Sequence, residues 1–217
     1  MRITLPSGTP AELARPTSGE PTRGLVLWPD IMGLRPLFDE LVARLAEEHR
    51  WVVCAPEIFP GQESLALEER FAEVPRVDQD ARLADAVAAA DACGVQPVAV
   101  LGFCMGGMYA FKCAGTGRFD KAVGFYGMVR QPDDWTGPAQ TDALDFVTRP
   151  GAAPVLGIFG TDDPYCPPEH VEELRAAGAE VVTYEGAQHG FVHDPSRPTH
   201  RADDAADAWR RVADFLS

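Results

Sequence analysis

Leu101-Gly102-Phe103-Cys104-Met105-Gly106-Gly107 decides how this sequence is read. It follows the apolar run Pro97-Val98-Ala99-Val100-Leu101, which predicts a buried strand, and it opens a stretch, 106–114, that predicts a helix. Glycines two residues either side of Cys104 let strand and helix approach closely around a strained turn, the G-x-nucleophile-x-G elbow with cysteine at its centre. Such a turn lifts the thiol out of the backbone. The helix N-terminus behind it supplies free N–H groups and a positive dipole end, which favour a thiolate and a developing oxyanion. Taken alone, the motif has a second reading, a small buried cysteine in a glycine-rich turn.

Outward from the elbow, apolar runs alternate with helical spacing. Gly24–Trp28, Trp51–Cys54, Lys121–Tyr126, Val155–Phe159 and Glu180–Tyr184 predict further strands, and 36–48, 79–93, 168–177 and 200–216 predict helices. Residues 6–24 predict turns around at most short edge strands, 57–78 a loop with a short helix, and 130–150 mostly loop. Strands that are solid apolar runs, each followed by a helix, mark a mostly parallel sheet covered on both faces. In an α/β sheet of this kind the ligand sits beyond the carboxyl ends of the strands, here the loops starting near 29, 55, 102, 127, 160 and 185.

Two of those loops carry the rest of a catalytic set. Gly160-Thr161-Asp162-Asp163-Pro164-Tyr165-Cys166-Pro167 follows one strand and Tyr184-Glu185-Gly186-Ala187-Gln188-His189-Gly190-Phe191 the next. The order nucleophile, acid, histidine is that of an α/β-hydrolase. His189 would act as base and acid, with a carboxylate fixing its tautomer. Asp162 and Asp163 compete for that role by position, and either alone could be a turn or helix-capping aspartate.

Over nearly the whole chain, from about residue 23 on, the sequence resembles the dienelactone hydrolases of the α/β-hydrolase superfamily. The likeness lies in Gly-Phe-Cys-x-Gly-Gly at 102–107, Phe125-Tyr126-Gly127, the Gly160–Pro167 stretch, and His189-Gly190-Phe191 with the Ala205-to-Trp209 helix. The resemblance implies an α/β-hydrolase fold without a separate cap domain, one domain over 1–217, and a triad of Cys104, His189 and Asp163, since the family's spacing aligns Asp163 as the acid. It implies ester or lactone hydrolysis of the carboxymethylenebutenolidase type, and an oxyanion hole from the backbone N–H groups of Ile31 and Met105. Asp30 stands where the family typically has a glutamate that helps generate the thiolate; the aspartate is one methylene shorter. Where family members acting on dienelactone hold its carboxylate with an arginine shortly after the histidine, this chain has His193. Arg35, Arg76, Tyr126, Trp135 and His193 are the candidate substrate contacts, with Arg130 and Arg197 as further cations. The alternatives are a carboxylesterase or thioesterase of different substrate class, or a catalytically weak ligand-binding relative.

Composition bounds these readings. The chain has 217 residues and 46% hydrophobic residues, ordinary for a globular protein. Its 33 acidic against 19 basic residues give a net charge of -14, which disfavours nucleic acid and anionic membrane partners. Five cysteines, an odd number with no CxxC, point to reduced thiols and a cytoplasmic location. No signal peptide or membrane span is evident in the sequence. Neither a phosphate-binding loop nor a dinucleotide fingerprint is present. The i,i+4 pair His189 and His193 lies in a loop without HExxH, so neither metal nor cofactor is expected. The expected partner is a small-molecule ester or lactone, and the expected state a monomer or small homo-oligomer.

Overall fold

The computed structural model describes residues 1–217. Eight strands form one sheet: β1 (Arg2–Thr4), β2 (Pro10–Ala14), β3 (Arg23–Trp28), β4 (Trp51–Pro56), β5 (Val98–Phe103), β6 (Ala122–Phe125), β7 (Val155–Gly160) and β8 (Glu180–Tyr184). Their order is β1-β2-β4-β3-β5-β6-β7-β8. The pairs from β4 to β8 are parallel, and the β1–β2 hairpin joins β4 antiparallel. The expectation of a mostly parallel α/β sheet with helices holds.

β3, β4, β5, β6 and β7 are buried at every residue, as solid apolar runs require. β8 is an edge strand, with Glu180 and Thr183 exposed and Val181, Val182 and Tyr184 half-buried. Helices α1 (Pro36–His49), α2 (Leu67–Glu73), α3 (Gln79–Cys93), α4 (Met105–Ala114), α5 (Leu144–Val147), α6 (Pro168–Ala176) and α7 (Ala202–Leu216) connect and cover the strands. α3 and α4 pack on one face, with α5 against α4 and α6 against α5. A cavity of about 440 Å³ runs between α1 and α7, away from Cys104.

Local chemistry sets the boundaries. Pro36 opens α1 with its φ already fixed, and Arg50 closes it in the left-handed region. The Asp78 side chain caps α3 by accepting from the N–H groups of Asp80 and Ala81, and Gly94 ends it at φ 70°. Residues 130–150 are mostly loop, as expected, with α5 and a 3₁₀ turn, Asp133–Trp135, inside it, and the short strand β1 lies ahead of the stretch read as turns. In both cases tertiary contacts order chain that has little local signal of its own.

The 3₁₀ turn is tied down from below. Lys112 of α4 is fully buried and donates to the side-chain oxygens of Gln79 (3.0 Å) and Gln140 (3.1 Å). Gln140 in turn donates to the Val77 carbonyl at 2.7 Å. The segment carrying Trp135 is thereby fixed to the start of α3. No helix is long and apolar enough to cross a membrane.

Candidate active site

Cys104 sits between β5 and α4 with φ 57° and ψ −122°, a conformation that L residues rarely adopt. Its N–H donates to the Phe125 carbonyl of β6 at 3.0 Å, and its carbonyl accepts from Met108. The flanking glycines are dictated by contact: a Cβ on Gly102 would lie 2.0 Å from the Gly106 carbonyl oxygen, and one on Gly106 would lie 2.1 Å from that of Pro29. Cys104 is also the one cysteine that solvent reaches. Cys54, Cys93, Cys113 and Cys166 are buried. Burial pushes all four thiols up, Cys93 to about 11 and Cys113 to about 12.

Asp163, in the turn after β7, is buried and faces His189, in the turn after β8. Asp163 Oδ2 lies 2.8 Å from His189 Nδ1, and Oδ1 accepts from the Tyr165 N–H at 2.9 Å. A carboxylate can only accept, so Nδ1 carries the proton. Asp162 is exposed and its side chain meets Thr161, which leaves Asp163 as the partner of His189. Tyr126 and Tyr165 stand edge-on to the imidazole, with centroids at 5.0 and 4.9 Å. His189 Nε2 is buried without a hydrogen bond of its own. Burial alone would lower the pKa of this ring. The charge of a Cys104 thiolate and the hydrogen bond to Asp163 outweigh it and carry His189 up to about 10.

Asp163, Cys166 and His189 offer ligand atoms within 4.8 Å of one another. Asp163 and His189 are bonded to each other, and the Cys166 thiol is directed at the Gly127 carbonyl, 3.6 Å away. His193 does not join His189 as a metal pair, because both of its nitrogens are engaged elsewhere.

Those engagements form a buried network behind the cleft. His193 Nε2 donates to Asp30 Oδ2 at 2.9 Å, and its Nδ1 accepts from the Tyr126 hydroxyl at 2.5 Å. Arg35 grips Asp30 with both guanidinium nitrogens, at 2.7 and 2.9 Å. The Met32 N–H donates to Asp30 Oδ1 at 3.0 Å. Burial would raise the Asp30 pKa, but the bonds from His193 and Arg35 hold it far below the ordinary carboxylate range. Burial lowers that of His193 against the pull of Asp30, so the ring is neutral. No hydrogen bond joins Asp30 to Cys104.

The loop carrying Ile31 is fixed from two sides. The peptide between Ile31 and Met32 gives its N–H to Asp30, and its carbonyl accepts from Arg70 Nη1 at 3.2 Å. The same buried guanidinium donates to the carbonyls of Glu63 (2.6 Å) and Leu65 (3.0 Å) and so ties the approach to α2 to the Ile31 loop. The Ile31 N–H itself makes no hydrogen bond. Met105 is the first residue of α4, so its N–H has no acceptor within the helix.

Cys104, His189, Asp30, Ile31 and Trp135 share one cleft of about 390 Å³, whose wall also includes Leu67, Phe71, Met128, Tyr165, Arg197, Pro198 and Thr199. Among the arginines expected near substrate, Arg35 is bound to Asp30 and Arg130 pairs with Asp142 and Glu173. Arg76 is a correction: it is a surface residue, donating to Glu73 one helical turn away, and does not line the cleft. Tyr126 and His193 lie behind the wall rather than on it. Arg197 is the cation that lines the cleft. Sequence reasoning also missed Arg70. It sits beside Glu68 and Glu69 in a short helix, and nothing local distinguishes it from a solvated charge.

Comparison with known proteins agrees with this geometry. The profile of the dienelactone hydrolase family matches residues 9–217. A “Putative carboxymethylenebutenolidase” of Methylorubrum extorquens is 30% identical over 100% of this chain and 79% of its own length. A carboxymethylenebutenolidase of Rhodococcus opacus is 28% identical over 88% of this chain and 79% of its own. The crystal structure of a “Putative Dienelactone Hydrolase” from Klebsiella pneumoniae superposes with a TM-score of 0.85 at 27% identity, over 98% of this chain and 95% of that one.

Proposed function

The chain belongs to the dienelactone hydrolase family, and from that premise we propose that it hydrolyses a carboxylic ester or lactone through a Cys104–His189–Asp163 triad and an acyl-enzyme. The observation that carries the reading is the elbow thiol, presented at positive φ, in one cleft with an imidazole whose far nitrogen is held by a buried carboxylate.

The Cys104 thiolate attacks the carbonyl carbon. The oxyanion is met by the N–H groups of Ile31 and Met105, the second reinforced by the α4 dipole. His189, protonated in its pair with the thiolate, gives its Nε2 proton to the departing alkoxide or enolate. The ring, now neutral, takes a proton from water as that water attacks the thioester. Collapse of the second tetrahedral species returns the thiolate, and the ring is protonated again. Asp163 keeps Nδ1 protonated throughout and stabilises the imidazolium.

Asp30 takes a different role from the one its sequence position suggests. Its lone pairs are filled by Arg35, His193 and Met32, so it serves as the strut of the Ile31 loop. The thiolate then depends on His189. A catalytically weak relative is the second reading, favoured by this same engagement of Asp30.

The test is hydrolysis of a panel of aryl esters, lactones and thioesters by wild type beside Cys104→Ala. Removal of the nucleophile is expected to lower kcat/KM by about 10³-fold or more. Unchanged turnover would refute the assignment, and ligand binding without turnover in the wild type would support the second reading.

A further inference from the structure

We propose that the site takes a neutral ester carrying an apolar aryl or acyl group, and disfavours a carboxylated one; this rests on the hydrolytic reading above. The first observation is the wall. Ile31, Leu67, Phe71, Met128 and Trp135 form its apolar part. The Phe71 and Trp135 rings lie 6.0 Å apart at 46°, two tilted aromatic surfaces of the size that a phenyl ring or short acyl chain covers.

The second observation is the charge around the cleft. Arg197 is the cation on the wall, and its charge is already met: Nη2 lies 3.5 Å from Asp30 Oδ2 and Nε 3.7 Å from Asp194 Oδ2. Arg35 is spent on Asp30 as a bidentate pair. Asp30, Asp194, Arg35 and Arg197 therefore cancel. His193 is neutral. Arg70, directly behind the wall, is buried with its three nitrogens on the carbonyls of Leu65, Ile31 and Glu63. A substrate carboxylate would have to compete with Asp30 and Asp194 for Arg197, and would meet the repulsion of both carboxylates as it did so. A neutral group meets the apolar wall with no such exchange.

The test uses two aryl acetates that differ in one group, methyl 4-acetoxybenzoate and the anionic 4-acetoxybenzoate, each rate divided by that ester's own hydroxide-catalysed rate. Wild type is expected to favour the neutral ester by about tenfold in kcat/KM. Leu67 is 39% exposed on the wall, so it tolerates an unpaired cation; Leu67→Arg is expected to narrow the preference about threefold or more. Equal or faster turnover of the anion, with that turnover collapsing in Arg197→Gln, would overturn the proposal by showing Arg197 as a carboxylate anchor. Absence of Cys104-dependent turnover for both esters would overturn the hydrolytic reading itself, and is distinguishable from a reversed preference.

Discussion

A single thiol is set apart from four others by backbone geometry and access. Cys104 is half-buried on a left-handed turn, whereas its four companions are packing atoms whose thiols burial renders inert. The chemistry assigned to it depends on His189 being charged at rest. A base whose pKa is raised in the folded state contributes stability that is fully present below its unfolded value, about 6.5, and is lost as pH rises through the folded value. For His189 that window closes near 10. An NMR titration of the imidazole is therefore expected to show His189 protonated through the neutral range and to about pH 10. Cys104→Ala, which removes the largest contribution raising the ring, should bring the midpoint down. An unchanged midpoint would mean that the thiol carries no charge beside the ring. At this scale the sequence was informative about where Cys104, Asp163 and His189 fall, because each sits in a glycine-marked loop directly after an apolar run. It singled out Asp30 by position, but not the partners that set its role. A buried carboxylate with four donors and an exposed loop aspartate have the same letter, and the partners that decide between them, Arg35 and His193, come from different loops.

Elements were legible where the apolar pattern was continuous, and illegible where burial comes from other parts of the chain. The central strands and the longer helices follow their patterns to within a few residues at each end. The short helix expected within 57–78 is α2, but its bounds and the 3₁₀ turn follow no pattern; Phe71 and Trp135 on them are placed by the bonds of Arg70 and of the Lys112–Gln79–Gln140 cluster. That cluster gives a test. Burial lowers Lys112 to about 8, against the pull of Asp142 and Asp145. A lysine depressed in the folded state costs stability while it is charged, and the cost fades as pH rises from the folded toward the unfolded pKa. Gln79 and Gln140 keep other donors, Thr141 and Gln131, for the oxygens that Lys112 occupies. Lys112→Met is expected to raise stability by about 1–3 kcal/mol at pH 7, with the gain shrinking between pH 8 and about 10. Urea denaturation at several pH values measures it. A destabilised variant would show instead that the ammonium is needed to hold the Trp135 segment.

Seen whole, the molecule places its chemistry where a parallel sheet dictates. β3, β5, β7 and β8 each end in a loop at the candidate site: the first carries Asp30 and Ile31, the others Cys104, Asp163 and His189. The acidic surface acts on the same cleft from a distance. With a net charge of -14 the protein repels an anionic ester before any contact forms. Raising ionic strength from about 10 to about 200 mM should increase kcat/KM for the anionic acetoxybenzoate about two- to threefold and leave its methyl ester unchanged. Equal responses would indicate that the field at the cleft mouth is neutral despite the overall charge.

The Asp30–His193 bond has a temporal meaning as well. It joins residues 163 positions apart, so the strut of the Ile31 loop closes only when the chain after β8 has been made and docked. Synthesis at the ribosome runs from the N-terminus, and a domain folds as a unit. Cys104 thus leaves the ribosome well before His189 and His193, the residues that come to lie beside it and behind its cleft. On the proposed triad, an unfinished chain would hold the thiol without its imidazole, and activity would wait until the loop after β8 has docked.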